Sequence, residues 1–568
     1  MLSIMMDNES EKQFKSRRKA RRIRRRRSST IVKTMKRGGA VIDSGGFGCI
    51  LKPQVRCKKK SGDLPKNSLG ITKMLKREHA EKEYTEIMRY KPILQKIPNY
   101  SKYFLIDDIS ICEPMRLDNS DLVDFDKKCS ALKKLKISKS NVNKSLNQLR
   151  IINMPYGGID VGETMKRHIL NNDWRFLKTL NNKLLDLLEN GVVAMNDRNI
   201  FHFDLKNGNI LVSSKERTTH AEESDDGDDD DKHDKHNNDM IVRIIDWGLS
   251  AYYKPNDEIP SIMLNRPFQF NVPFSNVLFT DMFRDTYQQF LKHKTEDEMN
   301  YPVIHTFIIH YVLSWLKKRG SGHIQVINII LKELFVDDNT IKGERGVGVV
   351  VVKKDSKKND DDLNIGHIDY TFYYIFDYLT KIVVEFTDKK KKRFEDVHYF
   401  NNVFKKNVDV WGLVMSYTPY LEYLCGIRNT KNKNGKCSKL SPIQENIVDG
   451  IRQLMTLLMA NASTPISIGS IRDIVMNSIN NNIEQDTFRN NNDSAKTKRE
   501  SSITPFSSTS YLSTSDLGVS LLSTPSNNNN NNNNNIRVRK TNRRRLHNHV
   551  VKTLKRIKTQ HSKNQWLQ

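Results

Sequence analysis

Two short apolar segments that carry polar residues at fixed spacings constrain the fold of this 568-residue chain more than any other feature. The first, FHFDLKNGNILV at 201–212, ends in a run typical of a buried strand, and the second, IIDWGLS at 244–250, begins with one. Between them, residues 213–240 are polar, and their core at 222–234 holds nine acids and one lysine. Such a composition cannot bury enough apolar surface to fold, so we predict a disordered acidic insertion between two paired strands.

The first of these segments has the residue types that phosphoryl transfer requires. Asp204 is a carboxylate that can accept the proton of an acceptor hydroxyl, and Lys206 can neutralise a transferred phosphoryl group. Asn209 carries an amide oxygen that can bind Mg²⁺. A loop with satisfied polar groups is the alternative, but the spacing HxDLKxxNIL favours catalysis.

The second segment has a single acid at the end of its strand. Asp246 is followed by an aromatic residue, Trp247, and by Gly248, which suits a metal ligand on a sharp turn. A lone aspartate at a strand end is more often a turn cap. Its position after the first segment favours the metal ligand.

A cluster of glycines, SGGFGCIL at 44–51, is expected to join two short strands. Glycine allows main-chain N–H groups to approach phosphate oxygens closely, although most glycine clusters are turns without a ligand. The residues of this cluster that we expect to contact a nucleotide are Ser44, Gly45, Gly46, Phe47, Gly48 and Ile50.

A lysine and a glutamate follow the glycines on two further predicted elements. Lys73 lies in a short predicted strand, and Glu83 lies in a predicted amphipathic helix at 77–91. A pair between them would hold the lysine against phosphates. Glu81 and Glu86 are on the same helix and are alternatives to Glu83, which could instead face solvent.

In this order, the motifs resemble those of the eukaryotic-type protein kinase superfamily, over about residues 38–475. The segments MPYGG, NRPFQFNVPFSN and DVWGLVMSY are similar to divergent serine/threonine kinases of large DNA viruses. The resemblance implies an α+β, two-lobed kinase fold with a small β-rich N-lobe and a larger, mainly helical C-lobe. The activity it implies is transfer of the γ-phosphoryl group of ATP to a serine or threonine hydroxyl of a protein substrate.

The resemblance also implies a role for each motif residue. It makes Asp204 the catalytic base, Lys206 a γ-phosphate contact, and Asn209 and Asp246 ligands of Mg²⁺ or Mn²⁺. Lys73 would then hold the α- and β-phosphates of ATP, with Glu83 as its brace. The residues that would form the hinge beside adenine are Met154, Pro155, Tyr156 and Gly157.

Asp409, in DVWG, is implied to be a buried acid that holds the main chain of the catalytic loop. The chain also departs from the family pattern. Asp43 replaces the first glycine of the loop, and Phe203 replaces an arginine that normally pairs with a phosphorylated activation loop. We therefore expect that phosphorylation of that loop is not the activating switch here. No APE motif follows, and PFS at 273–275 is a candidate for its place.

The predicted organisation is one domain with insertions and two disordered ends. Its parts are a basic arm at 1–35, a kinase domain at 36–480 and a Ser/Thr/Asn-rich basic tail at 481–568. The predicted divisions of the domain are an N-lobe at 36–153, a hinge at 154–158, a C-lobe at 159–480, the acidic insertion at 213–240 and a helical insertion at about 281–400.

The formal net charge is +28, and most of it is in the two ends. Residues 12–27 hold eleven Lys/Arg and residues 536–558 hold ten, with no acid in either segment. These segments could bind a polyanion such as nucleic acid or an acidic protein, or they could be solvated arms without a partner.

None of the six cysteines forms a CxxC pair, so we expect no disulfide framework and a reducing compartment. No signal-peptide pattern and no apolar stretch long enough for a membrane span is found. We therefore expect a soluble intracellular protein. The resemblance suggests the host cytoplasm or the virion, and the basic arm is also compatible with the nucleus.

Three alternatives to an active protein kinase remain open at this point. They are a pseudokinase scaffold, a kinase of small alcohols with a related fold, and a polyanion-binding protein that acts through its basic ends. The lysine, base, amide and metal acid together disfavour the scaffold, and DLK with the glycine cluster disfavours the small-molecule kinase.

Overall fold

The computed structural model describes residues 40–45, 48–58, 70–214, 240–255, 257–320, 322–335, 372–429, 440–481 and 483. The two basic ends, nearly all of the acidic insertion, and Gly46 and Phe47 of the glycine cluster lie outside these residues.

An antiparallel five-stranded sheet forms the N-terminal part, with the strand order β1-β2-β3-β5-β4. Its strands are β1 (Ala40–Ser44), β2 (Gly48–Lys52), β3 (Ile71–Lys76), β4 (Ser110–Cys112) and β5 (Leu149–Met154). β1 and β2 pair directly across the glycine cluster, as predicted. Lys73, at the centre of β3, lies opposite Ile50 of β2 and Ile152 of β5. The sheet therefore holds Lys73 between two neighbouring strands.

Both faces of this sheet are covered. Helix α1 (Arg77–Leu94) follows β3 directly and confirms the predicted amphipathic helix. Short helices α2 (Phe125–Lys128) and α3 (Ser130–Lys134) belong to a segment whose apolar residues, such as Phe125 and Leu132, pack with Val41 and Leu51 of β1 and β2. Because both faces are covered, nearly every residue of β3 is buried, and buried and exposed residues do not alternate along it.

The expectation that the cysteines do not pair is wrong for four of them. Cys49 of β2 is bonded to Cys129, next to α3, and Cys57 is bonded to Cys112 of β4. The partners are 80 and 55 residues apart in the chain, a separation from which sequence alone cannot assign a pair. Both disulfides tie the sheet to its covering segments, and they remove the argument for a reducing compartment.

The disulfides predict a difference in thiol count. Protein that is denatured without a reductant should titrate four fewer thiols than protein that is denatured after reduction. The measurement is a colorimetric thiol assay in guanidinium chloride, with alkylation before unfolding as the control against exchange. Equal counts in the two samples would show that these cysteines are unpaired and would restore the original expectation.

The remainder of the chain is mostly helical. Its helices are α4 (Val161–Leu170), α5 (Trp174–Asp186), α6 (Val193–Asn196), α7 (Asp281–Lys292), α8 (Tyr301–Arg319), α9 (Ile324–Phe335), α10 (Phe372–Glu385), α11 (Asp396–Tyr399), α12 (Lys405–Met415), α13 (Thr418–Asn429), α14 (Pro442–Ala460) and α15 (Ile468–Asp473). Wider π-helical turns at Leu187–Val192, Phe400–Phe404 and Ile474–Asn480 continue α5, α11 and α15. The chain thus has the predicted mixed α+β character.

Small strands connect the helical part to the predicted motifs. They are β6 (Ile159–Asp160), β7 (Ile200–Phe201), β8 (Ile210–Ser214), β9 (Met240–Ile244), β10 (Ala251–Tyr252), β11 (Thr387–Asp388) and β12 (Arg393–Phe394). β8 and β9 pair antiparallel from Ile210 opposite Ile244 to Ser214 opposite Met240. The acidic insertion therefore does interrupt a hairpin, as predicted.

Two features of the helical part concern its divisions. The apolar run at 407–424 is divided between α12 and α13. Pro419 lies in the first turn of α13, and because proline lacks the N–H that would continue α12, the break falls before it. The helices of the predicted insertion at 281–400 also share the main hydrophobic core, where Trp315 and Phe376 belong to the same cluster as Leu184.

Of the helices in the described part of the chain, none combines the length and the apolar character that crossing a membrane requires.

Candidate active site

Lys73 joins the sheet to helix α1 and to the turn after β9. Its Nζ lies 2.7 and 2.8 Å from the two carboxylate oxygens of Glu83 and 2.8 Å from Oδ1 of Asp246. Lys73 and Glu83 are 8% and 6% exposed. Of the three glutamates considered on α1, Glu83 is therefore the one that pairs with Lys73. Glu81 instead contacts Arg77, and Glu86 contacts Tyr90.

The charges of this cluster depend on one another. Burial lowers the pKa of the Lys73 amine, but the carboxylates of Asp246 and Glu83 raise it by a larger amount. The pKa is therefore above its usual value, and the amine stays charged. Burial raises the pKa of Asp246, but Lys73, with smaller contributions from His202 and Lys206, brings it below its usual value. The cluster thus holds a cation between two acids at neutral pH.

The ring of Trp247 fills the space between α1 and the segment around residue 204. It is fully buried, and its centre is 6.0 Å from the ring of Tyr90, 5.9 Å from that of Phe104 and 5.3 Å from that of His202. Tyr90 also donates a hydrogen bond of 3.0 Å to the carbonyl of Ser250. This packing fixes α1, and with it Glu83, relative to Asp246.

The carboxylate of Asp204 is surrounded by hydrogen-bond donors. Its Oδ2 accepts from Nζ of Lys206 at 2.8 Å and from the amide nitrogen of Asn209 at 3.1 Å. Its Oδ1 accepts from the amide nitrogen of Asn271 at 2.9 Å. The carboxylate is thereby held in one orientation by three side chains.

Asp409, in the fully buried part of α12, holds the main chain just before Asp204. Its two carboxylate oxygens accept from the N–H groups of His202 and Phe203, at 2.8 and 2.9 Å. Burial raises the pKa of Asp409, while His202 and the two N–H donors lower it. This is the arrangement that the resemblance implied for DVWG.

The close contact between α12 and this loop depends on Gly412. A Cβ at this position would lie 2.5 Å from the carbonyl oxygen of Leu205 and 2.8 Å from its side chain. Any larger residue would push the helix away from the loop, because the nearest atom that it would meet is a main-chain oxygen. Gly412 therefore sets the distance at which Asp409 reaches the N–H groups of His202 and Phe203.

Phe203 adopts a left-handed conformation, with φ of 58°, which is uncommon for a bulky residue. Its N–H is bound by Asp409, and its carbonyl accepts a 2.9 Å hydrogen bond from the buried guanidinium of Arg266. Arg266 thus reaches this loop from 63 residues later in the chain.

Sequence reasoning assigned no role to Asn271 or Arg266, although it singled out the segment that contains them. Both contact the loop from more than 60 residues away, and no short spacing marks such a contact. Trp411 of α12 anchors the same segment by donating to the carbonyl of Phe270 at 3.0 Å. The only signal in the sequence was the concentration of Asn, Arg and aromatic residues after the DWG turn.

The glycine cluster and the segment after β5 border this site. The hydroxyl of Ser44 is engaged within the protein, because it accepts from the N–H of Ala131 at 3.2 Å and lies 3.1 Å from the hydroxyl of Ser130. Asp43 is exposed, and its carboxylate accepts from the N–H of Ser44. Gly45 is exposed and Gly48 is buried.

The predicted hinge follows the last residue of β5. The carbonyl of Met154 accepts from the side chain of Gln54 at 3.0 Å, and Lys52 lies over the ring of Tyr156 at 3.2 Å. Within the described residues, neither the carbonyl of Pro155 nor the N–H of Gly157 takes part in a hydrogen bond. One main-chain acceptor and one donor of this segment are thus unengaged among the described residues.

Asn209 and Asp246, the predicted metal ligands, lie on adjoining strand ends. The N–H of Ile245 donates to the carbonyl of Asn209 at 3.0 Å. Both side-chain hydrogen bonds of Asn209 are made by its amide nitrogen, so its oxygen is left to bind a cation. An amide oxygen and a carboxylate fit Mg²⁺, which takes few protein ligands when phosphates complete its coordination.

Comparisons with known proteins give no direct assignment: no protein-family model matches this chain, and no curated protein is found to be similar to it.

Proposed function

We propose that this protein is an ATP-dependent protein serine/threonine kinase, in which the sheet of the N-terminal part and the helical remainder form the two lobes of a kinase fold. The observation that carries the proposal is the Lys73 cluster. One buried lysine touches both Glu83 of α1 and Asp246 of the turn after β9. Phosphoryl transfer depends mainly on positioning and charge neutralisation, and a braced lysine beside a metal-binding acid provides both.

The other residues take roles that follow from their contacts. Lys73 would bind the α- and β-phosphates, and Asn209 and Asp246 would hold Mg²⁺, which when bound neutralises charge on the transferring phosphates. Asp204 would orient the acceptor hydroxyl and take its proton, in the geometry that its three donors impose. Lys206, which contacts Asp204, would lie beside the γ-phosphate and offset its charge.

The test is transfer of radiolabelled phosphate from ATP to protein and peptide acceptors in the presence of Mg²⁺, with small alcohols as parallel acceptors. Phosphoserine or phosphothreonine in a protein acceptor is the expected result. Phosphorylation of small alcohols alone would support the small-molecule kinase instead. Failure to bind ATP and Mg²⁺, measured by thermal shift, would favour the scaffold.

Replacing Glu83 by Gln should lower kcat/KM for ATP by about 10- to 100-fold. A hydrogen bond between charged groups contributes about 1.5–3 kcal/mol, and each 1.4 kcal/mol corresponds to about tenfold. Glutamine keeps the size of Glu83 but loses the charge that holds Lys73. The matched control is Glu78→Gln in the exposed first turn of the same helix, which should leave kcat/KM unchanged. Equal values for the two variants would contradict a bracing role for Glu83.

Binding of a polyanion by residues 12–27 and 536–558 remains a prediction. Deletion of both segments should abolish retention on heparin and leave phosphoryl transfer intact, since the residues proposed for transfer all lie between Ser44 and Asp246.

A further inference from the structure

The turn between α8 and α9 lies directly against Phe268 and Phe270, in the segment whose Asn271 binds Asp204. The N–H of His323 donates to the carbonyl of Phe268 at 2.9 Å, and the rings of His323 and Phe270 are 5.5 Å apart. Gly322, at φ of 51°, lies so close that a Cβ there would be 2.6 Å from the Phe268 carbonyl oxygen. Because the next residues of that segment include Asn271, which binds Asp204, the turn forms one wall beside the base.

Cationic groups dominate this wall. Arg266 is 7% exposed, forms no ion pair with another described residue, and has a buried Nη2 without a hydrogen-bond partner. Burial lowers the pKa of His323, and so do Lys206 and Arg266, against the opposite effect of Asp204. These four residues are therefore close enough to interact. The carboxylate of Asp204 offsets part of the charge of Arg266, and a buried charge acts over a longer distance than one in water.

An exposed basic run continues this wall at its rim. Lys317, Lys318 and Arg319 end α8, just before the turn. The charge of Arg319 helps to lower the pKa of Asp281. The carboxylate of Asp281 also accepts a hydrogen bond from the side chain of Asn265, which precedes Arg266 in the chain. The run thus lies on the same side as the buried arginine.

Within the described part of the chain, Lys317 and Lys318 form no ion pair. Cations at a helix C-terminus complement the helix dipole, but that dipole amounts to only about half a charge. Lys317 and Lys318 together exceed what the end of α8 needs, and both are exposed.

We infer that this protein selects acidic acceptors: serine or threonine hydroxyls in peptide segments whose neighbouring residues carry carboxylates or phosphates. The inference rests on the proposed kinase function and adds the class of substrate. An acidic segment that enters beside Asp204 and bound ATP meets two sources of repulsion. The cations of Arg266 and of the α8 end offset that repulsion.

The test compares kcat/KM for two peptides of equal length, each with one serine, flanked by glutamates in one and by glutamines in the other. The full-length protein should prefer the glutamate peptide by about tenfold or more, since several partly exposed charge pairs contribute together. The preference should shrink as the salt concentration rises from about 0.05 M to about 0.5 M, because ions screen such pairs.

Two double variants of equal charge locate the preference. Lys317→Gln/Lys318→Gln should lower the ratio of the two kcat/KM values by about threefold or more. Lys389→Gln/Lys390→Gln, which removes two exposed lysines from the β11–β12 connection, should leave the ratio unchanged.

Each contrary result has a distinct meaning. Equal kcat/KM for the two peptides would overturn the inference and leave the kinase proposal standing. A ratio that is unchanged in the α8 variant would place the origin of the preference elsewhere, as in the basic ends of the chain, and would also overturn the inference. No transfer to either peptide or to any protein acceptor would contradict the kinase proposal itself.

Discussion

Replacement of Asp204 by Asn is expected to lower the rate constant for phosphoryl transfer by about 10²- to 10⁴-fold, the usual contribution of a positioned general base, while ATP binding is retained. Asparagine has nearly the size of aspartate but cannot accept a proton at neutral pH. The measurement is a single-turnover assay with radiolabelled ATP, together with a binding isotherm for the nucleotide. Because Lys73, Glu83 and Asp246 are unchanged in this variant, the affinity for ATP should stay near that of the native protein.

The environment of Asp204 requires a folding control for this variant. Three donors, on Lys206, Asn209 and Asn271, point at the carboxylate, and an amide group would oppose one of them. The thermal unfolding midpoint should therefore be recorded alongside activity, and Asp285→Asn, on the exposed face of α7, serves as the matched substitution. A native transfer rate in a folded Asp204→Asn protein would rule out this residue as the base.

Replacement of Asp409 by Ala should lower the free energy of unfolding by about 2–6 kcal/mol, since it leaves two buried N–H groups without an acceptor at about 1–3 kcal/mol each. These are the N–H groups of His202 and Phe203. Phe203 also has a left-handed conformation that the surrounding bonds must maintain. Urea denaturation followed by tryptophan fluorescence measures the change, provided that the slope of the transition is the same in both proteins.

Two further variants distinguish lost hydrogen bonds from lost volume. Asp409→Asn retains one acceptor oxygen in the same space, so its effect should be smaller than that of Asp409→Ala. Asp285→Ala, in an exposed position, should change the free energy of unfolding by no more than about 0.5 kcal/mol. If Asp409→Ala were as stable as Asp285→Ala, the two N–H groups would have to find other acceptors. The stabilising role described for the hydrogen bonds to Asp409 would then be incorrect.

Local spacing explains which parts of the fold and the candidate site were predictable. β8 and β9 were recognisable because each is a short apolar run next to polar residues, and α1 because its apolar residues recur at helical intervals. Asp204, Lys206 and Asn209 lie within six residues, so one loop brings them together whatever the rest of the chain does. For these elements the chain itself holds most of the information.

Contacts between distant segments were not predictable in the same way. The sequence pattern left three glutamates on α1, and the contact between Glu83 and Lys73 is seen only in the folded structure, in which Trp247 packs against Tyr90 and His202. Cys49 and Cys129 show no spacing that pairs them, because their contact exists only when the α2–α3 segment covers the sheet.

The order of the motifs, the hairpin around the acidic insertion and the choice of a candidate base could be predicted before folding was considered, since each depends on residues that are neighbours in the chain. The contacts of Asn271 and Arg266 with the loop around Asp204, and the turn at Gly322 and His323 on one side of it, arise only when the chain is folded. A folded core can bring residues together across any separation in sequence, and no periodicity in the sequence predicts such a contact.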